Sequence, residues 1–256
     1  MINLTKHLIE KKHQKKLFIP YLTPFLTDDW EKLLFKLEEL GADAIEIGIP
    51  FSDPAIDGPV IQKASNVAIK NGGSFDAILE RVKLISSKLN TPLIAMTYAN
   101  ILYKQGFNES VKQLEEAGFS ALIIADLPWE EKNRLNIKKS KDFAIINLVA
   151  PSTNEDRLQQ IASSAEGFVY CVANMATTGV KSEEAASFEF INLVKKYSSV
   201  PLLAGIGIAN IDDAKDAASF CDGFIVGSSL LKWLLDGDLA GFENLAKDLG
   251  SLPQNA

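Results

Sequence analysis

Histidine and cysteine are scarce in this chain of 256 residues. The two histidines, His7 and His13, lie near the amino terminus, and the two cysteines, Cys171 and Cys221, are far apart in sequence. A histidine-activated nucleophile, a histidine-rich metal site and a Cys/His zinc cluster therefore lack their residues. Acid–base chemistry must fall on carboxylates, lysine or tyrosine. Two distant cysteines without a CxxC motif give no disulfide framework, which favours a reducing, cytoplasmic setting.

Long hydrophobic runs and excess positive charge are also missing. No apolar stretch approaches the ~20 residues of a membrane span, and we recognise no signal peptide. The net charge is −7, and residues 1–16 carry five lysines against one glutamate, so the rest of the chain is more acidic still. An acidic body argues against nucleic acid as a partner. We interpret residues 1–16 as a solvated N-terminal helix rather than a targeting segment.

Eight short hydrophobic runs recur along the chain, separated by amphipathic helical patterns. Such runs are typical of parallel strands covered on both faces. Eight strands alternating with helices over about 250 residues predict an α/β protein with one (β/α)8 barrel, a TIM barrel, over residues 1–256. The runs are Leu17–Leu22, Ala44–Ile49, Leu93–Tyr98, Ala121–Ala125, Phe143–Val149, Phe168–Ala173, Pro201–Gly205 and Gly223–Gly227.

A doubly wound open sheet is the alternative architecture. It usually has a glycine-rich turn after its first strand, whereas Tyr21–Pro24 contains no glycine. We expect the tail, Ser251–Ala256, to be frayed. Among the helices, the clearest runs from about Asp28 to Leu40, with Asp28 and Glu31 resembling a capping box and Gly41 ending it.

The active site of such a barrel lies at the carboxyl ends of its strands. None of the eight runs contains lysine, which argues against a Schiff-base aldolase, and none contains histidine, which argues against a His-bearing metal-dependent aldolase. Glu46 is the acidic residue within these runs. Strand alternation places Glu46 on the barrel interior and Ile45 and Ile47 on the outside. A buried carboxyl group is suited to general acid–base work because burial raises its pKa.

Two readings of Glu46 and of the loop after it remain open. Glu46 could be a structural carboxylate paired with a buried cation, although no lysine or arginine occupies a strand interior. The loop Pro50–Pro59 contains three prolines and a glycine, which makes it stiff, and it carries Asp53 and Asp57. An aspartate before glycine is often only turn chemistry, but a pair of carboxylates near Glu46 favours a catalytic role.

Glycines and one helix start follow the later strands. Gly179, Gly207, Gly227 and Ser228 would let backbone N–H groups approach an anion, and the helix Ser228–Leu235 would present its N-terminus there. These positions predict a phosphorylated small substrate. An apolar pocket for a flat aromatic group could be formed by Tyr21, Tyr98, Met96 and Ile123, although Met96 and Ile123 could equally be core packing.

The segment Glu46–Pro59 carries the pattern EIGIPFSDPxxDGP, which resembles the signature of the tryptophan synthase α subunit family. The resemblance extends over nearly the whole chain, through the segments Phe18–Tyr21, Tyr98–Asn100, Ala125–Pro128, Gly205–Gly207 and Val226–Ser228.

The resemblance implies a carbon–carbon lyase of tryptophan biosynthesis. This family cleaves indole-3-glycerol phosphate reversibly to indole and glyceraldehyde 3-phosphate without a metal or organic cofactor. It implies that Glu46 is the shuttling acid/base and that Asp57 hydrogen-bonds the indole N–H. By the same matching, Tyr21, Tyr98, Ile123 and Tyr170 belong to the substrate pocket, Gly179, Gly207, Gly227 and Ser228 hold the phosphate, and Thr178 orients Asp57.

The resemblance also implies a partner. The family forms an α2β2 complex with a β subunit that uses pyridoxal phosphate to join indole to serine, and indole passes through an internal tunnel. Asp53, Pro54 and Asn100 match positions that face β. The pyridoxal phosphate belongs to β, so no cofactor is expected in this chain.

One departure from the family pattern affects the loop after the sixth predicted strand. The family commonly ends this loop in Gly-Val-Thr-Gly, whereas this chain has Ala176-Thr177-Thr178-Gly179. Alanine at a position that needs positive φ would cost about 1 kcal/mol or more, which affects loop closure. This departure motivates one alternative, a weakly active α chain that mainly activates β. A separate alternative is another phosphate-binding barrel, such as a sugar-phosphate isomerase or epimerase.

Overall fold

Parallel strands and α-helices alternate along residues 2–174 and 181–254, the part of the chain that this computed structural model describes. Among these residues no helix is long and apolar enough to cross a bilayer. The strands are β1 Leu17–Leu22, β2 Ile45–Gly48, β3 Leu93–Thr97, β4 Ala121–Ile124, β5 Ala144–Ile145, β6 Asn147–Val149, β7 Val169–Asn174, β8 Leu202–Ile206 and β9 Gly223–Val226. The helices are α1 Leu4–Lys11, α2 Trp30–Glu39, α3 Pro59–Lys70, α4 Phe75–Ile85, α5 Ala99–Gln105, α6 Phe107–Ala117, α7 Trp129–Arg134, α8 Glu155–Ser163, α9 Lys181–Tyr197, α10 Ile211–Phe220, α11 Ser228–Leu235 and α12 Leu239–Gly250.

The strands form one parallel sheet in the order β5-β4-β3-β2-β1-β9-β8-β7-β6. The two ends of this order, β5 and β6, are halves of the fifth predicted strand, interrupted at Ile146. The Ile146 N–H still donates to the Leu122 carbonyl of β4 at 2.9 Å, so the segment connects both ends of the sheet. The barrel prediction is therefore confirmed, and the open-sheet alternative is wrong.

The N-terminal end of the barrel is closed by α1. Leu4 and Leu8 are fully buried and belong to the same cluster as the inward-facing strand residues Ile19, Ile94 and Ile225. The predicted N-terminal helix is present, but it spans only Leu4–Lys11, and its inner face is buried rather than solvated because the underside of the barrel core would otherwise face water.

The residues after α1 and at the end of the chain are tied to this floor. The Lys15 ammonium pairs with the buried Asp43 carboxylate at 3.0 Å, and Asp43 also accepts the Phe18 N–H at 2.9 Å. Leu252 is buried, and Pro253 forms a β-bridge with Lys15. Residues 252 and 253 of the tail are therefore not frayed, because they pack against the segment that leads into β1.

The helix caps are partly as predicted. Gly41 follows α2 with φ +93°, a conformation that glycine adopts without strain, which confirms the predicted stop. The capping box is wrong, since α2 begins at Trp30 and the Glu31 carboxylate pairs with the Arg81 guanidinium on α4. A long-range ion pair thus takes the side chain that the local pattern assigned to the cap.

Candidate active site

A cavity of about 730 Å³ opens at the carboxyl ends of the strands. It combines two carboxyl groups, two tyrosine rings, aliphatic side chains and several glycines. Most strands of the barrel and the loops after them contribute to its walls. The part formed by β4, β5 and their loops contributes one described residue, Ala125. The lining residues are Tyr21, Glu46, Ile56, Asp57, Gly58, Pro59, Val60, Ile61, Met96, Ala125, Leu148, Val149, Ala150, Ser152, Thr153, Arg157, Tyr170, Val172, Gly205, Gly207, Ile208, Ile225, Gly227 and Ser228.

Glu46 lies on β2 and points into this cavity, as the strand alternation predicts. Its side chain is 1% exposed, and Ile45 and Ile47 pack in the outer core. Burial, with a smaller contribution from the negative charge of Asp57, raises the pKa of Glu46 to about 8. The structure gives Glu46 Oε2 no hydrogen-bond partner among the described residues. Glu46 is therefore a neutral acid at pH 7 that can give up its proton at little cost.

Asp57 lies above Glu46, on the loop between β2 and α3. It is half-buried, and this burial raises the pKa of its carboxyl group, while a hydrogen bond with the Tyr98 hydroxyl acts in the opposite direction. The loop is closed on itself by backbone hydrogen bonds from Ala55 to Asp53 at 2.8 Å and from Asp57 to Pro54 at 3.1 Å. Gly58 then caps α3, whose first residue is Pro59. The stiff loop thus fixes a carboxylate at the cavity wall.

Two residues of the expected pocket do not line the cavity. Tyr98, at the end of β3, contacts the loop that carries Asp57 instead: its ring lies 5.2 Å from that of Phe51, and its hydroxyl accepts the Ile56 N–H at 3.3 Å. Ile123 is fully buried in the inner barrel cluster. Met96, for which we left pocket and core open, lies on the cavity wall.

Tyr21 and Tyr170 each lie over a glycine of the neighbouring strand. A Cβ atom on Gly48 would come within 1.9 Å of the Tyr21 hydroxyl oxygen, and one on Gly205 within 1.9 Å of a Tyr170 ring carbon. Burial, and the nearby charges of Glu46 and Asp57, raise the pKa of both phenols, so both stay neutral hydrogen-bond donors. The absence of side chains at Gly48 and Gly205 therefore leaves room for the Tyr21 and Tyr170 rings at the cavity wall.

The loops after β8 and β9 form the end of the cavity suited to an anion. Gly207 has φ +86°, and Gly227 precedes α11, whose first turn offers backbone N–H groups. The Ser229 hydroxyl donates to the Ile208 carbonyl at 3.1 Å and ties the two loops together. Ser228 lines the cavity beside them.

Thr178 and Gly179 lie outside the described residues. The same holds for Ala176 and Thr177, so the effect of the altered loop stays a prediction.

The loop after β6 contributes residues that the sequence-based expectations omitted. Ala150, Ser152 and Thr153 on this loop line the cavity, as does Arg157 on α8, the helix that follows it. Arg157 is held by a bidentate ion pair with Glu130 on α7, with Nε–Oε1 at 2.6 Å. Applying the strand-end rule to the fifth strand, as to the others, would have pointed to this loop.

The residues expected to face a partner lie at the rim. Asp53 and Asn100 are exposed and Pro54 is partly exposed. Asp126 fixes the start of α5, next to Asn100, by accepting the Ala99 N–H at 2.7 Å. No group of three or more potential metal ligands occurs within the described part of the chain.

Comparison with known proteins identifies the family to which this chain is similar. The family model described as tryptophan synthase alpha chain matches residues 8–253. The chain is 39% identical over 246 residues to the tryptophan synthase alpha chain of Oceanobacillus iheyensis, covering 94% of both chains. It is also 39% identical over 255 residues to that of Listeria innocua, covering 99% of this chain and 96% of the relative.

Solved structures agree with the sequence relatives. The tryptophan synthase subunit alpha of Legionella pneumophila superposes with a TM-score of 0.86 at 30% identity, covering 98% of this chain and 97% of that one. A structure titled tryptophan synthase from M. tuberculosis, in an open form with BRD0059 bound, gives a TM-score of 0.86 at 28% identity over 100% of both chains. With the family model spanning the barrel and the relatives matching it nearly end to end, this chain belongs to the tryptophan synthase alpha chain family.

Proposed function

We propose that this chain cleaves indole-3-glycerol phosphate to indole and glyceraldehyde 3-phosphate in the cavity at the barrel mouth, with Glu46 as the acid/base and Asp57 as the partner of the indole N–H. The observation that carries this assignment is Glu46, a buried carboxyl group with a pKa of about 8 that faces the cavity beside Asp57. A group with a pKa near neutrality can both donate and accept a proton at physiological pH.

The cleavage is a retro-aldol reaction. Neutral Glu46 gives its proton to indole C3, and the resulting carboxylate takes the proton of the glycerol hydroxyl next to the bond that breaks. The electron pair of the carbon–carbon bond stays with the indole, and the hydroxyl carbon becomes the aldehyde. Positive charge develops on the indole nitrogen when C3 is protonated, and the Asp57 carboxylate stabilises it through the N–H.

The rest of the cavity supports the same substrate. Gly207, Gly227 and Ser228 would bind the phosphate, together with Gly179, and Tyr21 and Tyr170 would contact the flat indole. Thr178 would orient Asp57 when its loop closes. These groups need no metal or organic cofactor. We also infer a cytoplasmic protein, a proposal supported by the free, buried Cys171 and Cys221.

We propose that the partner is the β subunit of an α2β2 complex. Asp53, Pro54 and Asn100 follow β2 and β3, at the end of the barrel where the cavity opens, so a subunit that covers them could receive indole directly. The pyridoxal phosphate would belong to that subunit. The alternative of a weakly active α chain that mainly activates β rests on residues 176 and 177, outside the described part of the chain.

Indole release from indole-3-glycerol phosphate tests this function, with the full chain assayed alone and with a tryptophan synthase β subunit. We expect turnover in both, and none with a pentose phosphate. Asp57→Asn should impair turnover severely and binding less, because the carboxylate acts where charge develops. Absence of turnover even with β would refute the lyase assignment, and a larger loss in binding than in rate would refute the role of Asp57.

A further inference from the structure

Tyr98 occupies a position between the loop that carries Asp57 and the helix that carries Asn100. It is the last residue before α5, where Asp126 fixes the next residue, Ala99, through a 2.7 Å hydrogen bond. Tyr98 is 6% exposed. Its side chain therefore extends from the rigid barrel wall toward the loop rather than into solvent.

Three contacts join the Tyr98 side chain to that loop. The ring lies 5.2 Å from the Phe51 ring at an interplanar angle of 33°. The hydroxyl oxygen accepts the Ile56 N–H at 3.3 Å. The same hydroxyl lies near enough to the Asp57 carboxylate to lower the pKa of that group. The loop has its own backbone turns and lies over the barrel mouth. The Tyr98 side chain connects it to the barrel wall.

The direction of these hydrogen bonds follows from the donors present. A phenol has one proton to donate and lone pairs to accept with. Because the Ile56 N–H donates to the phenol oxygen, the hydroxyl proton can point at the Asp57 carboxylate. Burial, followed by the charge of Asp57, raises the pKa of Tyr98 to about 12, so the proton stays on the phenol over the working pH range.

We propose that Tyr98 is a positioning residue that fixes the Asp57 carboxylate against the indole N–H, rather than a residue of the substrate pocket. This inference rests on the role proposed for Asp57. Tyr98 does not line the cavity. A misplacement of about 1 Å of a catalytic group can cost a factor of 10² in rate. An interaction with Tyr98 that keeps this carboxylate in place can therefore have a large effect on the rate.

Tyr98→Phe tests the proposal because it removes the hydroxyl and keeps the ring on Phe51. Tyr103→Phe is the matched control, since Tyr103 is on α5 and 73% exposed. We expect Tyr98→Phe to lower kcat about tenfold or more with KM changed less than twofold, the usual worth of a hydrogen bond to a charged group. Tyr103→Phe should match the parent. Equal kcat in the two variants would overturn the proposal, as would a rise in KM without a fall in kcat.

Two further measurements separate this proposal from its foundation. In an Asp57→Asn background, Tyr98→Phe should have little additional effect on kcat, whereas additive losses would show that Tyr98 does not act through Asp57. Carbon-13 NMR of the ligand-free chain should show a higher pKa for Asp57 in Tyr98→Phe, because a donor to the carboxylate is gone. An unchanged pKa would overturn the positioning role, even if the chain cleaves no indole-3-glycerol phosphate and the proposed function fails.

Discussion

Two carboxyl groups only three residues apart, Asp43 and Glu46, are both buried but meet opposite surroundings. Asp43 lies at the floor of the barrel, where it is 3% exposed and is matched by the Lys15 ammonium and the Phe18 N–H. Glu46 lies in the cavity, where it is 1% exposed and where burial and Asp57 raise its pKa to about 8. A buried carboxyl group is thus paired at one end of the barrel, whereas at the other end Glu46 Oε2 has no hydrogen-bond partner among the described residues.

The difference follows from what each end of the barrel must do. The floor is sealed by α1, so a charge there requires a fixed counter-charge. Among the described residues the cavity at the mouth is lined by no lysine, and its one arginine, Arg157, is paired with Glu130, so the Glu46 carboxyl group keeps its proton. Within the part of the chain that the structure describes, the fold leaves Glu46 Oε2 without a hydrogen-bond partner, which suits the acid/base role that we propose for it.

The largest effect on the cleavage rate should come from replacing Glu46 in the cavity. Glu46→Gln removes the transferable proton with almost no change in shape, so cleavage of indole-3-glycerol phosphate should slow by at least ~10². The chain should remain folded by circular dichroism. A variant that kept the parental rate would remove Glu46 from the acid/base role.

Breaking the ion pair of Asp43 at the floor should lower stability and leave the cleavage rate unchanged. Asp43→Asn removes the carboxylate that pairs with the Lys15 ammonium and leaves it only the Gly41 and Gly250 carbonyls, so urea unfolding should report a loss of about 3 kcal/mol. Cleavage should be unchanged under conditions where the variant is folded. Asp29→Asn is the control, because Asp29 pairs with Lys32 at the exposed surface and should not matter measurably. Equal effects of the two substitutions would contradict the contrast.

The pH dependence of stability sharpens the comparison. The pKa of Glu46 lies near 8 in the folded state and near 4.5 in the unfolded chain, so the native state binds the extra proton between these values. The stability of the parent should therefore fall relative to Glu46→Gln as pH rises from about 4.5 to 8, by about 4 kcal/mol. Urea unfolding of both proteins at several pH values measures this. A difference that does not vary with pH would mean that the pKa is not raised.

The smallest effect should come from the anion end of the mouth. Ser228→Ala removes one hydroxyl that lines the cavity at the start of α11 and leaves the backbone N–H groups in place. KM for indole-3-glycerol phosphate should rise about tenfold, with kcat changed less. Steady-state kinetics at fixed pH would show this, and a fall in kcat alone would place Ser228 outside phosphate binding.

Much of this molecule was predictable because its signals are local and periodic. The eight hydrophobic runs, the inward direction of Glu46 and the stop at Gly41 follow from strand alternation and helix-end chemistry. The family motif added the candidate roles of Glu46 and Asp57. The capping box of Asp28 and Glu31 failed because Arg81, fifty positions away, takes the Glu31 carboxylate.

The sequence by itself therefore determined the barrel, the interior placement of one glutamate and the lack of lysine and histidine in the strands around it. Only the tertiary structure decided that α1 and the tail close the floor, that Lys15 reaches Asp43, and that Tyr98 holds the loop of Asp57. These are contacts between residues distant in the chain. Their formation depends on how helices and loops pack around the closed sheet, a property that no local pattern of hydrophobicity or turn residues encodes.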